Sequence, residues 1–139
     1  MLVPVIDKAA DTMVMVELYS LADLDTCKRN AWGIPEPSLA ERRPRALDAP
    51  SLTLDLIVTP GLFFDRHGHR LGHGKGYYDR FHQACALFSQ SHSLPMPKFV
   101  AIALTQQLAP VGHELPHEAT DALIDGIVTP DQVLQFQRL

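Results

Sequence analysis

Four glycines fall within the twelve residues Gly68-His-Arg-Leu-Gly-His-Gly-Lys-Gly-Tyr-Tyr-Asp79, and no other stretch constrains the fold so tightly. Ahead of it, Leu52 to Val58 is a run of strand-forming residues. Behind it, Tyr77, Phe81, Cys85 and Phe88 recur at a helical period. A glycine-rich turn from a strand into a helix start is where α/β proteins receive phosphate groups. Glycine lets the backbone come close, the first helical N–H groups point at the ligand, and the helix dipole favours an anion. The turn is neither of the two familiar phosphate loops. Lys75 is followed by Gly76 rather than Ser or Thr, and Gly72, Gly74 and Gly76 are spaced G-x-G-x-G. On spacing alone, a tight hairpin whose Arg70 and Lys75 simply face water remains open.

Charge narrows the ligand. The chain is formally −4 with histidines neutral. Between Asp65 and Arg80 four basic side chains (Arg66, Arg70, Lys75, Arg80) outnumber two acidic ones (Asp65, Asp79), so this stretch is +2 and the remainder −6. A cationic island in an acidic chain suits a compact polyanion such as a nucleotide phosphate tail. It does not suit nucleic acid, whose binders spread basic charge over a face and have a high pI, whereas the pI here is near 5.9. At 139 residues, 46% hydrophobic and 20% charged, the chain reads as one soluble domain with room for a core. No apolar run approaches the ~20 residues of a membrane helix, and Met1 to Asp7 lacks the basic start of a secretory leader. Cys27 and Cys85 form neither a disulfide framework nor a C-x-x-C pair. A cytoplasmic location without a membrane partner is the expectation.

Read in order, Leu2 to Ile6 and Met13 to Tyr19 are expected strands, and Ser20 with Asp23 starts a short helix carrying Leu21, Leu24 and Cys27. Trp32 to Pro50 is prolyl and basic. It reads as an extended surface loop in which Arg42, Arg43 and Arg45 face solvent. Trp32, the sole tryptophan, would ordinarily pack into a core or a loop. Leu52 to Val58 and Phe99 to Leu104 suit strands buried on both faces of a parallel sheet, with the Tyr77 to Phe88 helix completing a right-handed βαβ unit. Asp65-Arg-His-Gly68 has the composition of a type I turn. Ala122 to Val128 is a further expected strand, and Thr129, Pro130 and Gln132 suggest a capped terminal helix from Asp131 to Phe136. Asp125 in that apolar run requires a pairing partner or a metal. His67, His69 and His73 carry the alternative reading of a zinc site.

The string from Asp55 to Phe81, Asp-Leu-Ile-Val-Thr-Pro-Gly-Leu-Phe-Phe-Asp-Arg-His-Gly-His-Arg-Leu-Gly-His-Gly-Lys-Gly-Tyr-Tyr-Asp-Arg-Phe, closely resembles the signature of the 5-formyltetrahydrofolate cyclo-ligases, or methenyltetrahydrofolate synthetases. Trp32-Gly-Ile-Pro-Glu-Pro37 and Asp121-x-x-x-Asp125-x-x-x-Thr129-Pro130 look like the family too. The resemblance implies a Rossmann-like α/β domain over residues 1–139, a mostly parallel open sheet flanked by helices. It would be the C-terminal two-thirds of the family fold, shortened at its N-terminus. It also implies ATP- and Mg²⁺-dependent conversion of 5-formyltetrahydrofolate to 5,10-methenyltetrahydrofolate, releasing ADP and phosphate. A non-catalytic nucleotide-binding form of the same family is the alternative. Carried over position by position, ATP would meet Arg70, Leu71, Gly72, His73, Gly74, Lys75, Gly76, Tyr77 and Tyr78, with Lys75 and Arg70 acting on the transferred phosphoryl group. The folate would meet Trp32, His73, Gly74, Lys75, Gly76 and Tyr77, and Asp79 with Asp125 would hold Mg²⁺. His73 stands where many members have Arg, replacing a permanent cation with one that titrates near neutrality. The N-terminal region usual in the family, with its ATP-contacting helix, precedes the motifs found here. An opening strand without it is expected to leave Leu2, Val3, Val5 and Ile6 uncovered and to favour self-association.

Overall fold

In the computed structural model, which describes residues 1–136, the chain forms two compact units, Met1–Thr53 and Leu54–Leu139. The first begins with β1 (Leu2–Asp7) and β2 (Thr12–Glu17), an antiparallel hairpin in register from Leu2 opposite Glu17 to Asp7 opposite Thr12. Asp7 Oδ1 accepts the Ala9 and Ala10 N–H groups to shape the turn. Val5, Met13, Met15, Val16 and Leu18 are buried, and Leu2, Val3 and Ile6 are half-buried, so the opening strand is not the uncovered apolar face expected of it. Ser20 caps α1 (Leu21–Thr26): its Oγ accepts the Asp23 N–H, while the Asp23 carboxylate accepts the N–H of Tyr19. β3 (Lys28–Arg29) and β4 (Pro35–Glu36) make a second small hairpin.

Arg43 does not face solvent freely. It forks onto Asp23 with Nη1–Oδ2 at 2.5 Å and Nη2–Oδ1 at 2.8 Å, the bidentate geometry that guanidinium and carboxylate favour. The hydrogen bond from Arg43 holds the Asp23 carboxyl down at about 2. The backbone follows the same course, with Glu17 N–H bonded to Pro44 O and Ala46 N–H to Met15 O. Prolines exclude a full ladder here but permit this strand-like bridge to β2.

The second unit is built on a four-stranded sheet of order β10-β9-β8-β5, with β5 (Leu56–Val58), β8 (Lys98–Ile102), β9 (Gly126–Val128) and β10 (Val133–Gln135). β5–β8 and β8–β9 are parallel, and β9–β10 is antiparallel. α2 (Tyr77–His92) links β5 to β8, after a hairpin of β6 (Phe63–Phe64) and β7 (Arg70–Leu71). Ile57, Phe99, Ala101 and Ile127 share one face of the sheet and are buried. The opposite face carries Leu56, Val58, Ile102, Val128 and Val133, all exposed. Strand β5 is therefore buried on one side only. Along α2 the buried positions are Phe81, Cys85 and Ser89.

The expected terminal helix is absent, and residues 133–135 form β10 instead. Thr129 and Gln132 do bond one another, Thr129 N–H to Gln132 O at 2.9 Å and Gln132 N–H to Thr129 Oγ1 at 3.2 Å. Those bonds close a hairpin turn with the same residues that could cap a helix. Tertiary pairing decides the outcome: Leu134 lies opposite Ile127, and a Cβ on Gly126 would stand 2.8 Å from Leu134 O.

Candidate functional site

The glycine loop is held at both ends by carboxylates, one buried (Asp65) and one half-buried (Asp79). Asp65, fully buried, closes the β6–β7 hairpin by accepting the N–H groups of His67 (2.8 Å), His69 (2.9 Å) and Leu115 (3.1 Å) and the Nδ1 of His69 (2.8 Å). Burial favours its neutral form, but these donors outweigh that and hold its carboxyl below the usual range. Gly68 passes under Ile124 O, 2.9 Å from where a Cβ would lie, with φ of 94°. The sequence marks Asp65 as a turn former; its deeper work, joining its own hairpin to a second segment, depends on Leu115, 50 positions along the chain.

β7 then presents Arg70. Its side chain is 7% exposed, its Nη2 donates to Asp79 Oδ1 at 2.7 Å, and its guanidinium lies 6.0 Å from the Tyr78 ring centre. Its Nε is buried and makes no hydrogen bond among the described residues. Asp79 Oδ1 also accepts the Ala122 N–H at 3.1 Å. Burial pushes the Tyr78 phenol up, against the pull of Arg70. Leu71 is half-buried and accepts the Leu62 N–H through its carbonyl, which anchors the loop's entrance.

Between these anchors Gly72, His73, Gly74 and Lys75 are exposed. Gly74 and Gly76 have φ of 75° and 64°, so backbone conformation accounts for both glycines. Gly72 is different. Its φ is not left-handed and a Cβ there would meet nothing within 4 Å, so neither packing nor backbone calls for glycine. Gly76 is the N-cap of α2 and provides no side-chain bond, which leaves the first-turn N–H groups of a 16-residue helix facing the loop. Arg80 braces the exit, with Nη1 bonded to Lys75 O at 2.9 Å and its guanidinium 5.0 Å from the Tyr77 ring centre.

The remaining expected site residues lie as follows. Asp125, just ahead of β9, is buried; its Oδ2 accepts the Phe99 N–H at 2.7 Å and Lys98 Nζ stands 3.2 Å from Oδ1. Since Asp79 holds Ala122, only the short segment 122–125 separates the two carboxylates along the chain, about 10 Å when extended. Trp32 is 84% exposed at the tip of the β3–β4 hairpin, so it is not a core aromatic. Asn30 Oδ1 holds that tip through the N–H groups of Trp32 and Ile34. His67 and His73 do not join His69 in a cluster; among the described residues His69 groups instead with Glu114 and His117. One feature escaped the sequence. A groove of about 400 Å³ at the carboxyl ends of β8 and β9, lined by Ile102, Leu104, Gln107, Val128 and Pro130, is an apolar opening where parallel sheets commonly take ligands. Gln107 fastens its wall by donating to the carbonyls of Gly61 and Leu62.

The loop carries uncapped helix N–H groups, one exposed lysine and one arginine fixed by a carboxylate, a set of charges suited to a polyanion. The sequence profile of the 5-formyltetrahydrofolate cyclo-ligase family matches residues 1–130. The 5-formyltetrahydrofolate cyclo-ligase of Mus musculus is 34% identical over 119 residues, 86% of this chain and 54% of its own length. A probable 5-formyltetrahydrofolate cyclo-ligase of Schizosaccharomyces pombe is 34% identical over 125 residues, covering 87% and 58%. The chain thus spans little more than half the length of these curated relatives. A solved 5,10-methenyltetrahydrofolate synthetase from Mycoplasma pneumoniae aligns with a TM-score of 0.47 at 21% identity, over 91% of this chain and 53% of that one, a likeness too distant to bear on the site.

Proposed function

Because the chain belongs to the 5-formyltetrahydrofolate cyclo-ligase family, we propose that its glycine loop binds the triphosphate of ATP and supports closure of 5-formyltetrahydrofolate to 5,10-methenyltetrahydrofolate. The observation that carries this reading is Gly72, a glycine explained neither by space nor by φ. A phosphate drawn against the backbone supplies the missing reason.

In the proposed reaction the formyl oxygen takes the γ-phosphoryl group and ADP leaves. N10 then attacks the activated carbon and gives up its proton to solvent, and the oxygen departs with the phosphate. Such transfer asks the protein mainly for position and for charge opposite the phosphoryl oxygens. Lys75 supplies a mobile charge from the loop, while Arg70 supplies a fixed planar one, oriented by Asp79. The α2 N–H groups at Tyr77 and Tyr78 add the helix dipole. His73, exposed beside Gly72 and Gly74, offers an imidazole donor to the same anion. The indole of Trp32 offers an exposed flat surface for a folate ring.

The donor chemistry of Asp79 and Asp125 fits Mg²⁺: both offer hard carboxylate oxygens, Asp79 accepts from Arg70 and Ala122 on Oδ1, and the exposed Lys98 side chain at Asp125 Oδ1 would swing away for the ion. When bound, the ion would offset phosphate charge. Asp125 would hold it beside Phe99, whose N–H orients that carboxylate.

Methenyltetrahydrofolate has its own absorbance, so turnover is followed directly with 5-formyltetrahydrofolate, ATP and Mg²⁺. The reading expects product only when ATP is present, and less of it with Gly72→Ala. Product formation independent of ATP contradicts it. Stoichiometric MgATP binding without product favours the non-catalytic form.

A further inference from the structure

We propose that His69, Glu114 and His117 form a binding site for a divalent transition-metal ion of the Zn²⁺ class. One ligand atom from each lies within 4.8 Å of the others. The two imidazoles are stacked, with centroids 3.9 Å apart and planes 13° from parallel, so their in-plane lone pairs run side by side and a shared ion requires one ring to turn about its Cβ–Cγ bond. Each ring is set by an oxygen on its Nδ1: Asp65 Oδ2 at 2.8 Å for His69, and the Leu115 carbonyl at 3.0 Å for His117. A carboxylate and a carbonyl can only accept, so each Nδ1 carries the proton and each Nε2 keeps its lone pair. Metal-binding histidines are oriented by the same device, an outer acceptor that fixes the tautomer and raises basicity.

The outer acceptors are themselves linked. Leu115 donates its N–H to the same Asp65 oxygen that holds His69, so the hairpin tip and the 114–117 segment are tied into one frame. Glu114 is exposed and adds the charge that two neutral imidazoles lack. Two imidazoles and one carboxylate suit Zn²⁺, with a fourth position open to water. Imidazole donors also discriminate against Mg²⁺ and Ca²⁺, which prefer all-oxygen shells. None of the three ligands is among the residues assigned to ATP, folate or Mg²⁺, and the site is independent of the folate reading. An ion here would clamp the residue directly preceding Arg70, and so steady the strand that delivers it.

The test uses untagged protein stripped by a chelator and titrated with Zn²⁺ against a chromophoric competitor. The expected result is one ion per chain with a Kd of about 10 µM or tighter, unaffected by millimolar-range Mg²⁺. His117→Ala and Glu114→Gln alter exposed side chains, so circular dichroism should be unchanged while affinity falls at least ~10-fold in each, the scale of a lost metal contact. His67→Ala should bind like the parent. Weaker binding than this, or binding that His117→Ala and Glu114→Gln leave intact, overturns the assignment.

Discussion

Arg70 and Asp79, nine positions apart, clamp the two ends of the glycine loop together through a 2.7 Å bond from guanidinium to carboxylate. Both groups are largely removed from solvent, with side-chain exposures of 7% and 19%. The pair fixes where β7 ends relative to where α2 begins, and the loop between them inherits its shape from that spacing. Arg70→Met should therefore destabilise the protein by about 3 kcal/mol, since Asp79 is left with a desolvated, unpaired charge. Urea unfolding measures this; a loss under half that size means the clamp is incidental.

Asp79→Asn separates structure from metal. The amide oxygen can still accept from Arg70 and Ala122, so the unfolding midpoint should change little. The concentration of Mg²⁺ needed for half-maximal ATP binding should rise, because a hard-cation site loses a formal charge. An unchanged magnesium dependence assigns Asp79 to structure alone.

The glycines of the loop should separate by role. Gly74→Ala forces an alanine to a φ of 75° and should cost about 1–2 kcal/mol in stability. Gly72→Ala meets no neighbour within 4 Å and should leave stability within about 0.5 kcal/mol of the parent. Its effect should instead appear in ATP binding, weakened about tenfold or more, or roughly 1.4 kcal/mol. If Gly72→Ala binds ATP normally, close approach of phosphate to the backbone at this position is excluded.

Stability should fall at low pH through two carboxylates. Hydrogen bonding to Arg43 holds Asp23 at about 2 in the folded protein, against an ordinary 3.8. Asp65 is also lowered, its N–H donors overcoming burial. Both groups bind fewer protons folded than unfolded, so their contribution is complete above the ordinary carboxylate value. It is lost as pH falls through the folded values. Asp23→Asn should flatten the decline in thermal midpoint between about pH 4 and pH 2; a decline as steep as the parent's removes the Arg43 pair from the account.

Much of the second unit was legible in the sequence because its signals were local. The glycine spacing marked the loop, the 3.6-residue period marked α2, and the apolar runs ending at Val58 and Val128 marked β5 and β9. What failed depended on partners far along the chain. Thr129 and Gln132 carry a helix-capping pattern, yet β10 forms because Val133 and Leu134 pair with β9. Arg43 reads as a solvated loop residue until Asp23, twenty positions earlier, is brought to it. His69 carries a plausible H-x-H-x₃-H pattern, but the hairpin turns it toward Glu114 and His117. Leu56 and Val58 read as fully buried because a strand's sequence does not say how many faces of its sheet are covered.

Trp32, as the sole tryptophan, is a ready reporter. At 84% exposure its removal should leave stability nearly unchanged. If its ring takes the folate, 5-formyltetrahydrofolate should quench its fluorescence, and Trp32→Ala should weaken folate binding while ATP binding persists. No quenching at saturating folate places the pterin elsewhere.

The most direct measurement is a calorimetric titration of MgATP into the protein and into Lys75→Met. The glycine-loop account predicts one site per chain, with affinity falling by about 1.5–3 kcal/mol in the variant, the worth of a hydrogen bond to a charged group, while the fold is unchanged. Absence of binding to the parent protein, or equal affinity in Lys75→Met, would contradict it.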